Sequence, residues 1–349
     1  MKEYYPWSAD AWSVAMQEYQ HRKMTILDIQ LSGSCQYNCV YCDSPDRVKP
    51  CTIDFEHLYW LVEKAIKCGR KFEWVFVCGL GEPLLAENKK NLFRILQMCE
   101  QFNMRCSIFT NGNQLDSAIL DYVARGILYP LIKIDTFIPK LAAEIYGTSL
   151  EGANKALAAT EQLFCLFKNM DSQNYHVGAS IVPTTKNRDE MKTIVQRCIE
   201  NNVFPLIGQL DYAGKAVASS EELNLTKEEL YEVKEEIEGL YGPYKIPICP
   251  SVIAGFHITY NGQISVDRRS GLSCSWFWLE DPDVVDLCNV NAINSFDEVD
   301  PLIINYRNSV LEGLKQIAPT IEEHPFGGCG GNIKSLVQEY INLQQMFLQ

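Results

Sequence analysis

Dense runs of lysine or arginine are missing from this sequence, and Asp and Glu outnumber Lys and Arg by 44 to 31. The formal net charge is −13. A protein that follows a phosphate backbone needs a basic patch, so no nucleic-acid partner is expected. No stretch of about eighteen apolar residues occurs, so no membrane-spanning helix is expected. The opening residues lack a basic stretch leading into an apolar one, and no secretory signal is expected. Internal repeats and low-complexity tracts are absent as well. What remains is core material: 47% of the 349 residues are hydrophobic and only 21% are charged. That composition argues against wholesale disorder and supports one large domain or two.

Cysteine is abundant, with 14 residues. In a small secreted chain this number would mean disulfides. In a long chain without a signal, a reducing cytoplasm and metal-bound cysteines fit better. Three of them share one short run, Ser34-Cys35-Gln36-Tyr37-Asn38-Cys39-Val40-Tyr41-Cys42. Thiolates spaced C-x3-C-x2-C can hold three irons of a four-iron cluster and leave the fourth without a protein ligand. An open iron is a place to bind and reduce something. Part of a zinc site is the alternative reading of the same three residues.

Six short β-like runs alternate with helical patterns. The runs are Thr25–Leu31, Phe72–Cys78, Met104–Phe109, Leu131–Asp135, His176–Val182 and Val203–Leu210. Between them, Phe55–Cys68 places Leu58, Leu61, Val62, Ala65 and Ile66 on one helical face, and Asn91–Phe102 repeats the pattern. Leu115–Arg125 ends at Gly126, a C-cap residue type, and Leu150–Asn169 and Asp189–Asn201 complete the set. This alternation predicts an α/β fold, a partial (β/α)6 parallel barrel with right-handed crossovers. Thr226-x-x-Glu229 opens a further helix, Lys227–Leu240, as a capping box. Beyond Gly242-Pro243 the rhythm changes. Phe256–Tyr260 and Gln263–Val266 flank Asn261-Gly262 and predict a β-hairpin with a type I′ turn. The rest reads as loop-rich until a last helix at about Asn332–Leu348. The expected division is an N-terminal extension (1–24), the barrel (25–241) and a small C-terminal domain (242–349).

In parallel barrels reactive groups gather at the carboxyl ends of the strands. Here the three cysteines follow the first strand, and Gly79-Leu80-Gly81-Glu82-Pro83 follows the second. Thr110-Asn111-Gly112 follows the third, Asp135 ends the fourth, Asn187 follows the fifth and Gln209 lies at the end of the sixth. The cysteine spacing, the aromatic Tyr41 before its last member and the Gly81-Glu82-Pro83 loop resemble the radical S-adenosylmethionine (SAM) superfamily over about residues 25–215. The resemblance implies a [4Fe-4S] cluster on Cys35, Cys39 and Cys42, with SAM chelating the open iron. One electron then cleaves the sulfonium, and the resulting 5′-deoxyadenosyl radical takes hydrogen from a substrate. Gly79, Gly81, Glu82 and Pro83 would border the SAM ammonium, Tyr41 would meet adenine, and Asn111, Asn187 or Gln209 would bond ribose. Leu80 departs from the commonest family form, Gly-Gly-Glu-Pro. Plainer roles stand beside these. Tyr41 reads equally as packing, Thr110-Asn111-Gly112 as a turn, Glu82 as a loop brace and Asp135 as a helix cap.

Cys249, Cys274, Cys288 and Cys329 are spread along the C-terminal region, the last within Gly327-Gly328-Cys329-Gly330-Gly331. Four thiolates can ligate one further cluster. This arrangement resembles the SPASM and Twitch extensions of radical SAM enzymes, without the dense cysteine group of a full SPASM domain. One auxiliary [4Fe-4S] cluster is therefore expected, two clusters in all. Buried thiols or a zinc site are the alternatives. Among the remaining cysteines packing is the default, while Cys78 and Cys51 lie where a thiol can return a hydrogen atom to a substrate radical. Trp276-Phe277-Trp278 reads as a pocket wall or as domain packing.

The expected function is an oxidising radical SAM enzyme, catalysing dehydrogenation or cross-linking of a small molecule or short peptide. A one-electron donor such as flavodoxin or ferredoxin would serve it. Residues 1–24 are too few for an added peptide-binding domain, which tilts the expectation toward a small substrate. The alternatives are a radical epimerase with a cysteine hydrogen donor, an activase for a glycyl-radical enzyme, and a non-catalytic metal-binding interaction protein.

Overall fold

The computed structural model describes residues 2–42, 49–79, 81–169, 173–208, 210, 214–244, 249–273, 284–321, 325–326 and 333–348. Its centre is one nine-stranded sheet. The strands are β1 (Ile26–Ile29), β2 (Trp74–Val77), β3 (Arg105–Thr110), β4 (Leu128–Lys133), β5 (Gly178–Ile181), β6 (Phe204–Ile207), β7 (Gly255–Ile258), β8 (Gln263–Asp267) and β9 (Val284–Asn289). Their order is β6-β5-β4-β3-β2-β1-β7-β8-β9, and the sheet does not close on itself. From β6 to β7 all pairings are parallel, and β7–β8 and β8–β9 are antiparallel. Every residue of β1, β2 and β6 is buried, as expected for strands covered on both faces. The expected partial α/β barrel is therefore present.

Helices fill the crossovers. In chain order they are α1 (Ala9–Gln20), α2 (Phe55–Lys67), α3 (Ala86–Gln101), α4 (Ser117–Ala124), α5 (Pro139–Ile145), α6 (Leu150–Phe167), α7 (Met191–Glu200), α8 (Lys215–Leu223) and α9 (Lys227–Tyr241), followed by α10 (Ser251–Ala254), α11 (Asp300–Ile317) and α12 (Ile333–Leu348). Local chemistry sets their ends. Asp54 caps α2 by accepting from the amides of Glu56 and His57, each at 3.1 Å. The capping box at Thr226 and Glu229 opens α9, with both reciprocal bonds formed. Gly126 follows α4 at φ +68°. No helix among the described residues is long and apolar enough to cross a membrane.

Three features differ from the sequence reading, and a fourth adds to it. The hairpin turn is not type I′, which needs positive φ at both central residues. Only Gly262 is left-handed (φ +80°); Asn261 is not, and the turn closes through Gly262 N donating to Thr259 O at 2.8 Å. β4 starts three residues earlier than expected and stops at Lys133, so Asp135 lies in the loop beyond it. The stretch read as loop-rich contains β9 and the 18-residue α11. The region before β1 holds α1 and a short turn whose aromatic side chains cover one face of the sheet. There Tyr4 donates to Tyr129 O at 2.9 Å, its ring stacks on Phe204 at 5.9 Å, and Trp7 lies 5.9 Å from Phe109.

Residues on both sides of the expected 241/242 boundary share one sheet and one hydrophobic core. β7 pairs with β1, setting His257 beside Asp28, and Phe256, Ile258, Phe296 and Leu311 belong to the same buried cluster as Leu27 and Val75. Inside α11, Gly313 is exposed and a Cβ there meets nothing within 4 Å. Gly313→Ala should therefore stabilise the protein by roughly 0.5–1 kcal/mol, because alanine loses less backbone entropy in a helix. Denaturant unfolding checks this; a lower midpoint for the variant would contradict it.

Candidate active site

The loop after β1 that carries Cys35, Cys39 and Cys42 is held from three sides. Toward β2, Glu82 N donates to Ser34 O at 2.8 Å, and Asn88 bonds Ser32 N and Ser32 O, each at 3.1 Å. Gly81 (φ +72°) presses against this backbone so closely that a Cβ would fall 2.3 Å from Ser32 O. Toward β4, Asn38 N and Val40 N donate to Tyr146 O and Ile145 O at the end of α5, each at 3.0 Å. Gly147 (φ +56°) lies against Asn38, and a Cβ there would fall 2.0 Å from Asn38 O. Toward α8, Lys215 N donates to Cys42 O and Ser219 Oγ to Val40 O, each at 2.9 Å. At both glycines the neighbour is backbone, so no side-chain rotation can make room.

Glu82 ties this loop to β3. It is buried, and Oε1 accepts from Thr110 Oγ1 at 2.6 Å and Leu84 N at 2.9 Å, while Oε2 accepts from Asn111 N at 2.7 Å. Burial raises its pKa, and the three donors oppose that rise. Asn111 donates through Nδ2 to Cys35 Sγ at 3.8 Å and accepts from Gln36 Nε2 at 3.1 Å. Glu82 therefore acts as a brace. Gly79 (φ +100°) faces the Gln30 side chain, and Pro83 is buried.

Cys35 is exposed, and Cys39 and Cys42 are half-buried. Among the described residues no three His, Cys, Asp or Glu side chains converge on one point as ligands of a single ion must. The three thiols are nonetheless electrostatic neighbours. Burial pushes Cys39 up to about 12, Lys133 opposes this, and Cys42, Asp135 and Cys35 add to it. Partial desolvation by the surrounding loop raises Cys35 too, with Glu82 and Cys42 contributing. Three soft sulfurs on one loop suit a cluster whose irons each take one thiolate.

The half-buried Lys133 and Tyr41 and the buried Asp135 form a polar triad beside the loop that the sequence reading did not assemble. Lys133 Nζ lies 2.7 Å from Asp135 Oδ2, and the Tyr41 hydroxyl donates to the same oxygen at 2.5 Å. Lys133 also donates to the Tyr41 hydroxyl, and its Nζ sits 4.2 Å from the Tyr41 ring centroid and 5.2 Å from that of Tyr146. Asp135 is fixed further by Val182 N on Oδ1 at 3.0 Å and by its own amide donating to Tyr146 OH at 3.1 Å. Burial lowers the pKa of Lys133, but Asp135 and then Cys39 outweigh it, and the ammonium is held above its usual value.

The other expected site residues fall in different places. Asn187 is buried and fully engaged: Nδ2 donates to Asp135 O and Val182 O, and Oδ1 accepts from Thr184 N and Oγ1. Cys78 Sγ donates to the buried carboxylate of Asp28 at 3.1 Å. Ser251 Oγ lies 3.4 Å from the other oxygen of Asp28 and 3.2 Å from Cys249 Sγ, so Cys78 and Cys249 flank one carboxylate. His257 Nδ1 is 3.7 Å from Asp28, and neither ring nitrogen has a hydrogen-bond partner among the described residues. Cys51 is half-buried against the main core near the β7–β8 turn, where Thr52 N donates to Tyr260 O. Cys288 lies on β9 with Glu298 among its neighbours, unlike Cys249, which faces Ser251 and Asp28. Leu80, Gln209, Cys274, Trp276-Phe277-Trp278 and Cys329 lie outside the described residues.

The open, largely parallel α/β sheet resembles that of radical SAM enzymes, and the likeness is one of fold. Two solved structures carry the likeness. Streptococcus suis SuiB bound to precursor peptide SuiA matches with a TM-score of 0.57 and 17% identity, over 90% of this chain and 77% of that one. Native anSMEcpe with bound AdoMet matches with a TM-score of 0.57 and 13% identity, over 93% of this chain and 98% of that one. Among curated proteins, a GTP 3′,8-cyclase of Ectopseudomonas mendocina (strain ymp) is 24% identical over 220 residues. That match spans 62% of each chain, so this protein covers about six tenths of the length of that relative. No family model matches.

Proposed function

We propose that this protein is a radical SAM enzyme with a [4Fe-4S] cluster on Cys35, Cys39 and Cys42. The observation that carries the reading is the interlock of Gly81 and Glu82 with Ser32–Ser34, which sets the Gly-Glu-Pro loop against the cysteine loop. When bound, the cluster and SAM supply one-electron cleavage of the sulfonium and a 5′-deoxyadenosyl radical that removes hydrogen from substrate. The protein's own part is placement. Glu82 holds the β2 and β3 loops together, Asn111 donates toward Cys35, and Tyr41 is fixed by Asp135. A second, Twitch-like [4Fe-4S] cluster on Cys249, Cys274, Cys288 and Cys329 suits net oxidation, dehydrogenation or cross-linking, because it can accept an electron. A short peptide is as apt a substrate as a small molecule, given that SuiB is described bound to a precursor peptide. A second reading, epimerisation, is favoured by the placement of Cys78, whose thiol is oriented by the buried Asp28 carboxylate.

Anaerobic reconstitution tests the proposal. Wild type should take up iron and sulfide near eight each per chain and cleave SAM. Changing Cys35, Cys39 and Cys42 together to Ala should abolish cleavage and leave about half of the iron, on the second cluster. Stoichiometric zinc without SAM cleavage would sink the proposal, and complete loss of iron in a soluble triple variant would remove the second cluster. Solvent deuterium in the recovered substrate separates epimerisation from oxidation.

A further inference from the structure

We propose that Lys133 and Asp135 form an oriented charge pair that sets the reduction potential of the cluster on Cys35, Cys39 and Cys42. The inference rests on the cluster reading above and adds a positioning role for two residues outside the cysteine motif. The observations are geometric. Lys133 reaches out from the end of β4 between the rings of Tyr41 and Tyr146, and both rings pack in the small cluster that includes Cys39. Asp135, with no side-chain exposure, is pinned behind it by Val182 N and Tyr41 OH. The pair is therefore a fixed dipole, and its ends are not equivalent toward the loop. Its ammonium lies against the two rings that pack with Cys39, and its carboxylate is tied through Oδ1 to Val182 N in the loop after β5.

A three-thiolate cluster is anionic, and reduction adds further negative charge. A nearby cation in a site of low dielectric stabilises the reduced state more than the oxidised one and raises the potential, and a nearby anion lowers it. The two ends of the pair thus have opposite effects. Lys133→Met removes the cation and leaves Asp135, so the midpoint potential should move negative. Asp135→Asn keeps the shape and leaves the lysine charge uncompensated, so the midpoint should move positive. Lys133→Arg keeps the charge and should return the midpoint toward wild type. A purely structural role predicts loss of cluster or broadened spectra, without shifts of opposite sign.

The measurement is potentiometric titration of the reconstituted protein, followed by the electron paramagnetic resonance signal of the reduced cluster. It is made in a background where Cys249 and Cys288 are Ala, so that one cluster reports. Opposite shifts in Lys133→Met and Asp135→Asn, with restoration by Lys133→Arg, establish the assignment. Unchanged potentials, or shifts of one sign in both, overturn it while leaving the cluster reading intact. If Lys133→Met does not fold, an unshifted or negative midpoint in Asp135→Asn alone overturns the assignment. A wild type that takes up no cluster overturns the cluster reading itself, and this inference with it.

Discussion

Gly147→Ala should strip the first cluster from the protein without unfolding it. The methyl group would fall 2.0 Å from Asn38 O and 2.6 Å from Asn38 C, and φ is +56°, where an L side chain is strained in any case. Asn38 immediately precedes Cys39, so relief of the clash moves the cysteine loop itself. The bonds most exposed to that movement are Asn38 N to Tyr146 O and Val40 N to Ile145 O. Gly147 sits outside the main hydrophobic core, next to the smaller cluster of Tyr37, Ala142, Ile145, Tyr146, Ala153 and Ala156. The global cost should therefore stay at about 1–3 kcal/mol, the usual range for local backbone strain. Iron and sulfide should fall by about half in a two-cluster protein, and SAM cleavage by at least about tenfold. Circular dichroism should remain that of wild type. A Gly147→Ala protein with full iron and unchanged SAM cleavage would show that the α5 end does not set the cysteine loop.

Much of this site was legible in the sequence, and what was not has physical reasons. Cys35, Cys39 and Cys42 are near neighbours in the chain, so spacing alone reports them. Gly81 and Glu82 follow a recognisable strand, and their place at its end could be read from periodicity. Lys133, Asp28 and Gly147 have no such signal. Their partners Tyr41, Cys78 and Asn38 are far away in sequence, and only the sheet order brings them together. Asn187, which follows β5, donates to Asp135 O and Val182 O, and the first of these contacts joins two loops that no local pattern connects. β4 begins at Leu128, three residues before the expected run, and takes in Pro130, which lacks an amide donor and pairs opposite Ile108. The hairpin β7–β8 was read correctly as a hairpin, but its parallel pairing with β1 is a long-range choice no local pattern encodes. α11 was missed for a different reason. Its buried face runs through Ile303, Ile304, Leu311 and Leu314, but the residue at the centre of that face is Arg307. A charged residue where the period calls for an apolar one hides a helix from a hydrophobicity pattern.

That same Arg307 should be among the costliest single residues to remove. It is fully buried, and its described partners are neutral acceptors: Nε donates to Gly271 O, Nη1 to Ile253 O and Nη2 to Ser273 Oγ, each at 2.8 Å. Its guanidinium also lies 5.3 Å from the Tyr19 ring centroid and 5.8 Å from that of Tyr340. The side chain thus joins α11 to α10, to the loop after β8, and to α1 and α12. Arg307→Met keeps much of the volume but leaves three buried acceptors unpaired, at about 1–3 kcal/mol each. Removing a buried charge that lacks a carboxylate partner among the described residues recovers some desolvation energy, so the net loss should be about 3 kcal/mol rather than the full sum. Arg307→Lys should recover only part of this, because one ammonium cannot reproduce the planar fork that spans three separate acceptors. Denaturant midpoints measure the loss, and a variant within about 1 kcal/mol of wild type would contradict it. The consequence for chemistry is directional. Gly271 (φ +68°) packs with its Cβ position 2.8 Å from Arg307 Cγ, and Ser273 immediately precedes Cys274. Loss of the guanidinium therefore frees the segment leading into that proposed auxiliary ligand, while the Gly81 and Gly147 contacts on the first cysteine loop are untouched. Arg307→Met should lose iron from the second cluster first and retain SAM cleavage, the reverse of the outcome for Gly147→Ala.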